Sequence, residues 1–190
     1  DDMPNTKNPW DNETHQRNCI NRGLELLNLN DDDRIIISDV DEIWDCDTVK
    51  NLEVGDELLC LAMDIYYYNF NCKFVEKELA TKILKYSKYI TNPHPHHLRF
   101  RYDYCTIVPN GGWHLSYFGD VDFIKNKIKN FAHQEINTPE VLNSIQSHID
   151  NSTDFIPPDP NVWKNSIRHG GVEVKNKPPS YLPKHYKELL

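Results

Sequence analysis

Two aspartates, Asp39 and Asp41, stand one residue apart directly after the β-branched run Ile35, Ile36 and Ile37, and Glu42 follows them. Carboxylates are hard oxygen donors, and a pair of them suits a divalent cation such as Mg²⁺ or Mn²⁺ with a phosphate on its far side. The apolar run reads as a short buried strand over residues 34–38. Side chains two apart in a strand point to one side. Asp39 and Asp41 are therefore expected to converge at the strand's carboxyl end, where open α/β sheets place their ligands. The chemistry this suggests is metal-assisted work on a phosphorylated or nucleotide-linked substrate. A solvated turn after a strand has the same composition, so the pair alone does not decide.

Two enzyme classes use such a pair. In sugar-nucleotide transferases the acids hold the metal that neutralises a departing diphosphate. In haloacid-dehalogenase-type phosphatases the first Asp of the pair is a nucleophile, and Gly119-Asp120-Val121-Asp122 resembles a later acidic motif of that class. Against the phosphatase, Glu42 and Ile43 stand where that class has a small residue and Thr or Val.

A second candidate segment runs from Gly111 to Asp122. Its glycines permit close backbone approach, and Trp113 and Tyr117 offer flat apolar faces with polar edges that suit a sugar ring. Asp120 and Asp122 precede an amphipathic helix, where an acid serves either as N-cap or as a general base for an acceptor hydroxyl. His133, just beyond that helix, is placed to interact with its C-terminus or to be a third metal ligand. His94, His96 and His97 lie among prolines and read as loop residues. Tyr66, Tyr67 and Tyr68 read as strand packing.

These residues need a frame. Residues 1–11 read as loop and 12–27 as a helix with Cys19, Ile20, Leu24 and Leu27 on its apolar face. Asp47 is expected to cap a short helix over 48–52. Residues 58–70 read as a long strand interrupted by Asp64. Residues 79–89 are ambiguous, with a preference for strand. Residues 91–97 read as loop, 103–108 as strand, 109–112 as a turn and 113–118 as a short aromatic strand. Helical spacing of Val121, Ile124, Ile128 and Phe131 predicts a helix over 121–131, and Pro139 opens another. Residues 151–161 read as a Pro-rich loop, and 183–190 as a closing helix.

The 190 residues suit one domain. A net charge of -8 argues against general nucleic-acid binding. With a mean hydropathy of -0.69 and no apolar run near the roughly 20 residues a span requires, no membrane segment is expected in this chain. The five cysteines show no CxxC spacing, which disfavours zinc, and their odd number excludes a complete disulfide framework. They read mostly as buried thiols, with room for one or two disulfides. Asn12 and Asn151 head N-glycosylation sequons.

Taken together, Ser-Asp-Val-Asp-Glu-Ile at 38–43, Gly-Gly-Trp-His-Leu-Ser-Tyr-Phe at 111–118 and Lys-Asn-Phe-Ala-His-Gln-Glu at 129–135 resemble glycosyltransferase family 17 in order and spacing. Pro157-Pro158-Asp159-Pro160 and the closing Tyr181, Leu182, Tyr186, Leu189 and Leu190 are similar as well. That family includes the enzyme that adds bisecting N-acetylglucosamine to N-glycans. The resemblance implies an α/β, GT-A-like nucleotide-diphospho-sugar transferase fold, a mixed sheet flanked by helices. It further implies a UDP-sugar donor such as UDP-GlcNAc, a glycan acceptor, Mn²⁺ or Mg²⁺, and inversion at the anomeric carbon. Ser38, Asp39, Asp41 and Glu42 then match the donor- and metal-binding segment. Asp122 matches the leading candidate base, with Asp120 and Glu135 behind it, and Trp113, His114 and Tyr117 match the acceptor pocket. His133 matches a metal position of the bacterial-like members. The residues align with the C-terminal two-thirds of such a domain, without its N-terminal β-α region, which keeps a non-catalytic glycan-binding remnant among the alternatives. Animal-type relatives would place it in the Golgi lumen, bacterial or viral ones in the cytoplasm.

Overall fold

A computed structural model describes residues 2–156, 172–174 and 181–189 of the chain. The Pro157–Pro160 segment lies outside the described residues. Helices flank one mixed seven-stranded sheet in this α/β architecture. Its centre is β3 (Leu58–Tyr67), a strand buried along nearly its whole length. On one side β3 pairs antiparallel with β5 (Lys82–Lys85) near its start and with β4 (Cys72–Glu78) further along. On the other it pairs in parallel with β6 (Cys105–Ser116). β1 (Arg34–Ile37) pairs antiparallel with β5, β2 (Glu42–Trp44) with β6, and β7 (Val172–Val174) with β4.

The strand expected at 34–38 is β1, although its partner among the described residues, β5, runs antiparallel to it. β2 and β4 carry no strong sequence signal. β2 exists because the edge of β6 holds it, Glu42 opposite His114 and Trp44 opposite Gly112. The two strands expected at 103–108 and 113–118 are one continuous β6 that bends between them. Asn110 has φ 53 and Gly112 φ 137 there, and the register with β3 shifts between Leu61 and Met63. A Cβ at Gly111 would meet Leu61, and one at Gly112 would meet the Ile43 carbonyl oxygen, so both glycines let β6 be gripped from two sides. The ambiguous 79–89 stretch divides into β5 and the short helix α4 (Tyr86–Tyr89).

The first helical stretch begins earlier than expected, at α1 (Pro9–Asn18). The Asn8 side chain accepts from Trp10 N at 3.2 Å and Pro9 fills the first turn, a cap arrangement that the sequence reading took for loop. The stretch divides at Cys19 into α2 (Ile20–Glu25). α3 (Cys46–Asn51) is capped by Asp45, not Asp47: Gly111 O holds Asp45 N at 3.0 Å, leaving its side chain to accept from Thr48 N at 2.8 Å. The expected 91–97 loop contains α5 (Pro95–Arg99), again started by a proline. α6 (Val121–Asn130) and α7 (Pro139–Asn151) follow the expected spacing, capped by Asp120 and Thr138. The closing helix expected over 183–190 is a short 3-10 turn at Tyr186–Leu189.

Ile124 and Ile128 of α6 and Val141 and Ile145 of α7 pack with Ile65, Tyr67 and Phe74 of the sheet. At the other end, Leu59, Leu61 and Met63 of β3 meet Val49 and Leu52 of the α3 region. Ile35, Ile37, Leu84, Tyr89 and Leu98 form a third cluster under α2. Asp64 does not break β3, because Lys73 and Lys77 reach it from β4. One disulfide, Cys60–Cys105, joins β3 to β6, while Cys19, Cys46 and Cys72 are free. Among the described residues, no helix is long and apolar enough to cross a membrane.

Candidate active site

The residues 39–42 form a turn, closed by Glu42 N donating to Asp39 O at 3.1 Å, rather than an extension of β1. That turn changes where the acids point. Asp39 converges with Glu42 on one guanidinium, and Asp41 faces a different set of partners. Arg99, delivered by α5 and 6% exposed, donates to both Glu42 oxygens at 2.8 and 2.9 Å and to Asp39 Oδ2 at 2.8 Å. Glu42 Oε2 also accepts from Asp39 N at 3.0 Å and from the buried Thr81 hydroxyl at 2.6 Å. Burial pulls the Arg99 pKa down, but Glu42 and Asp39 outweigh it and hold it above the ordinary arginine value. The Glu42 side chain is fully enclosed, so it braces the loop from behind and does not reach a ligand. Arg17 of α1 adds contacts of 3.0 and 3.3 Å to Asp39 from the outer side.

Asp41 accepts from Lys127 Nζ of α6 at 2.8 Å and faces His114 Nε2 at 3.7 Å. His114 Nδ1 faces Glu78 of β4 at 3.6 Å, which places the imidazole between two carboxylates. Burial would raise the Asp41 pKa, but the charges of His114 and Lys127 hold it well below the ordinary carboxylate range. Burial would lower the His114 pKa, but Asp41 and Glu78 push it up to about 9.

This shift has a stability consequence. With a folded value near 9 above an ordinary value of 6.5, imidazolium stabilises the native state fully below pH 6.5, and that contribution is lost as pH rises through about 9. Lys82 acts oppositely, because burial pushes its pKa down from 10.5 to about 8, so its contribution rises only above that pH. In EDTA, unfolding free energy should therefore fall by about 1 kcal/mol between pH 6.5 and 8, less than the limiting value of about 1.4 kcal/mol per pH unit for one proton, because the unfolded imidazole is half-protonated at pH 6.5 and Lys82 offsets part of the loss near pH 8. Urea titrations of wild type and His114→Gln check this, since the glutamine variant should lose the slope. An equal slope in both would assign it elsewhere.

Beside Asp39 opens a cleft of about 680 Å³. Ser38, Asp39 and Val40 form one wall, Asn12, Glu13, Gln16 and Arg17 of α1 another, and Asn130, Phe131 and Ala132 a third. Two of the motif segments singled out in the sequence, 38–43 and 129–135, thus meet across one opening. Val40 at its rim is 97% exposed.

The remaining sequence candidates are dispersed. Asp120 caps α6, accepting from Phe123 N at 2.9 Å. Asp122, two residues on, is exposed in the first turn. Glu135 accepts from His133 Nδ1 at 2.5 Å, and the His133 ring meets Trp10 edge-on at 4.5 Å. Trp113 and Tyr117 are buried, at 4% and 3% exposure. Trp113 lies against Tyr181, with ring centroids 4.6 Å apart, and Tyr117 sits among Tyr67, Phe131 and Phe155. Among the described residues, no group of three or more His, Cys, Asp or Glu side chains is arranged to hold a metal.

Arg17, Glu78, Arg99 and Lys127 escape the sequence reading. One of them carried a signal: Lys127 lies three residues after Ile124 and four before Phe131, on the apolar face of α6. A lysine there needs a carboxylate partner or a route to solvent.

The family model for glycosyltransferase family 17 matches residues 2–188. Comparisons with curated proteins and with solved structures find no match.

Proposed function

The chain belongs to glycosyltransferase family 17, and from that premise we propose a metal-dependent, inverting transfer of N-acetylglucosamine from UDP-GlcNAc to a glycan hydroxyl on a GT-A-like fold. Transfer of a sugar between a donor and an acceptor follows from family membership, and the rest is our reading. The observation that carries it is the braced acidic turn: Asp39 is held at the mouth of a cleft by a buried arginine whose other partner is fully enclosed. Such bracing keeps a charged loop in one geometry before a ligand arrives, which is what preorganised electrostatic catalysis requires.

Asp39 and Asp41 would serve a divalent cation in the manner of Mg²⁺ sites, where one or two carboxylates act with waters and substrate phosphates, once the cations that now hold them on separate sides of the turn are displaced. Both side chains are partly exposed, and both already sit against positive charge. When bound there, a divalent cation would neutralise the departing diphosphate. Arg17, on the cleft wall, would add a positive charge beside the same phosphates. His133, bonded to Glu135, is the weaker ligand candidate. The phosphatase alternative is disfavoured because Glu42, buried under the turn, and Ile43 stand where that class has a small residue and Thr or Val.

For the acceptor base, Asp122 is the best placed of the three carboxylates, because Asp120 is committed to the cap and Glu135 to His133. Asp122→Asn should lower kcat at least about a hundredfold with donor affinity kept, the contribution of a positioned general base. Asp120→Asn should keep most activity, since asparagine caps equally well. A UDP-release assay with a glycan acceptor reads both. Full activity in Asp122→Asn would remove it as the base.

A further inference from the structure

Lys127 presents a cation where the proposed metal would bind. Its ammonium touches Asp41 Oδ2 at 2.8 Å and lies 4.8 Å from the centre of the Tyr117 ring. An ammonium and a divalent ion cannot share one carboxylate oxygen at contact distance without strong repulsion. The three other cations around this turn are held differently, Arg17 between the two carboxylates of Glu13 and Asp39. Arg99 is enclosed and makes three charge-assisted hydrogen bonds. His114 is wedged between Asp41 and Glu78. Lys127 alone among these four combines partial exposure, a single carboxylate partner and a flexible four-carbon stem.

We propose that Lys127 is an exchangeable counter-ion of Asp41. It neutralises that carboxylate in the ligand-free protein, yields it to the divalent cation, and then binds the donor diphosphate. The inference rests on the metal reading above. The flexible stem would let the ammonium move from Asp41 to the phosphates when donor and cation bind. The Tyr117 ring guides it, offering the ammonium a cation–π contact on a platform fixed by Tyr67 and Phe155. Lys127 thereby suppresses metal binding in the absence of donor and favours it in its presence.

The consequence is a pair of effects of opposite sign. In Lys127→Met, Mn²⁺ should bind the nucleotide-free protein about fivefold more tightly, because a partly exposed competing ion pair has been removed. UDP in saturating Mn²⁺ should bind about tenfold more weakly, because a charged hydrogen bond to phosphate has been lost. Lys127→Arg should restore most of the UDP affinity. Electron paramagnetic resonance of free Mn²⁺ gives the first quantity and calorimetry with UDP the second. Lys127→Gln, which keeps a hydrogen-bonding stem, replaces the methionine variant if that one does not melt cooperatively. If wild type binds Mn²⁺ and the neutral variants bind it with unchanged or weaker affinity, the exchange is overturned and the metal reading stands. Failure of every protein, wild type included, to bind Mn²⁺ with or without UDP would overturn both.

Discussion

Replacing Arg99 by methionine should cost about 3–5 kcal/mol of stability, the penalty of stranding a buried charge. Arg99 supplies two hydrogen bonds to Glu42 and one to Asp39, and Glu42 has no exposed side-chain surface to fall back on. With the guanidinium gone, the Glu42 carboxylate keeps only Thr81 Oγ1 and Asp39 N and must protonate or drag the turn open. Removing both partners in Arg99→Met/Glu42→Leu should recover most of that loss, because an apolar pair leaves no uncompensated charge. The double variant should still bind donor poorly, because Asp39 is no longer braced. Urea midpoints of the wild type, both single variants and the double variant measure this. A loss below about 1 kcal/mol in Arg99→Met would mean that the pair contributes no more than a surface ion pair.

The second large effect is on turnover. Asp41→Ala should lower kcat/KM for sugar transfer by about a hundredfold or more, the several kcal/mol that a metal contributes to a departing charge. The fold should survive, because Lys127 is partly exposed and His114 retains Glu78. A steady-state transfer assay beside a thermal melt separates the two effects. Near wild-type turnover in a well-folded Asp41→Ala would sink the assignment of this turn as the metal site.

How far the sequence could be read follows from where each signal resides. β1, β3, α6 and α7 are legible because their apolar residues recur at the spacing of the element that buries them. β2 is three residues that become a strand only against the edge of β6. β4 is half polar because Lys73 and Lys77 serve Asp64 across the sheet. The bend in β6 reads as a turn because its asparagine and glycines are turn residues, yet the positive φ of Asn110 and Gly112 bends one continuous strand. Prolines at 9 and 95 read as loop and instead start helices.

The acids of the site were legible and their counter-ions were not. Arg17, Arg99 and Lys127 lie 22, 60 and 86 residues from the aspartates they hold. No local pattern reports a pairing at that range. The alternation rule also misplaced Asp39 and Asp41, because a turn stands where a strand was assumed. The aromatic residues Trp113 and Tyr117 had the right chemistry for a sugar platform, but both are spent on the protein's own packing against Tyr181 and Phe155.

The most direct measurement is calorimetric titration of UDP-GlcNAc into the full chain in Mn²⁺, repeated in EDTA and with Asp41→Ala. Saturable binding in Mn²⁺ that disappears in both controls is the expected result. Binding of equal strength in all three would contradict a metal-dependent donor site at this turn and favour a glycan-binding role independent of UDP and metal.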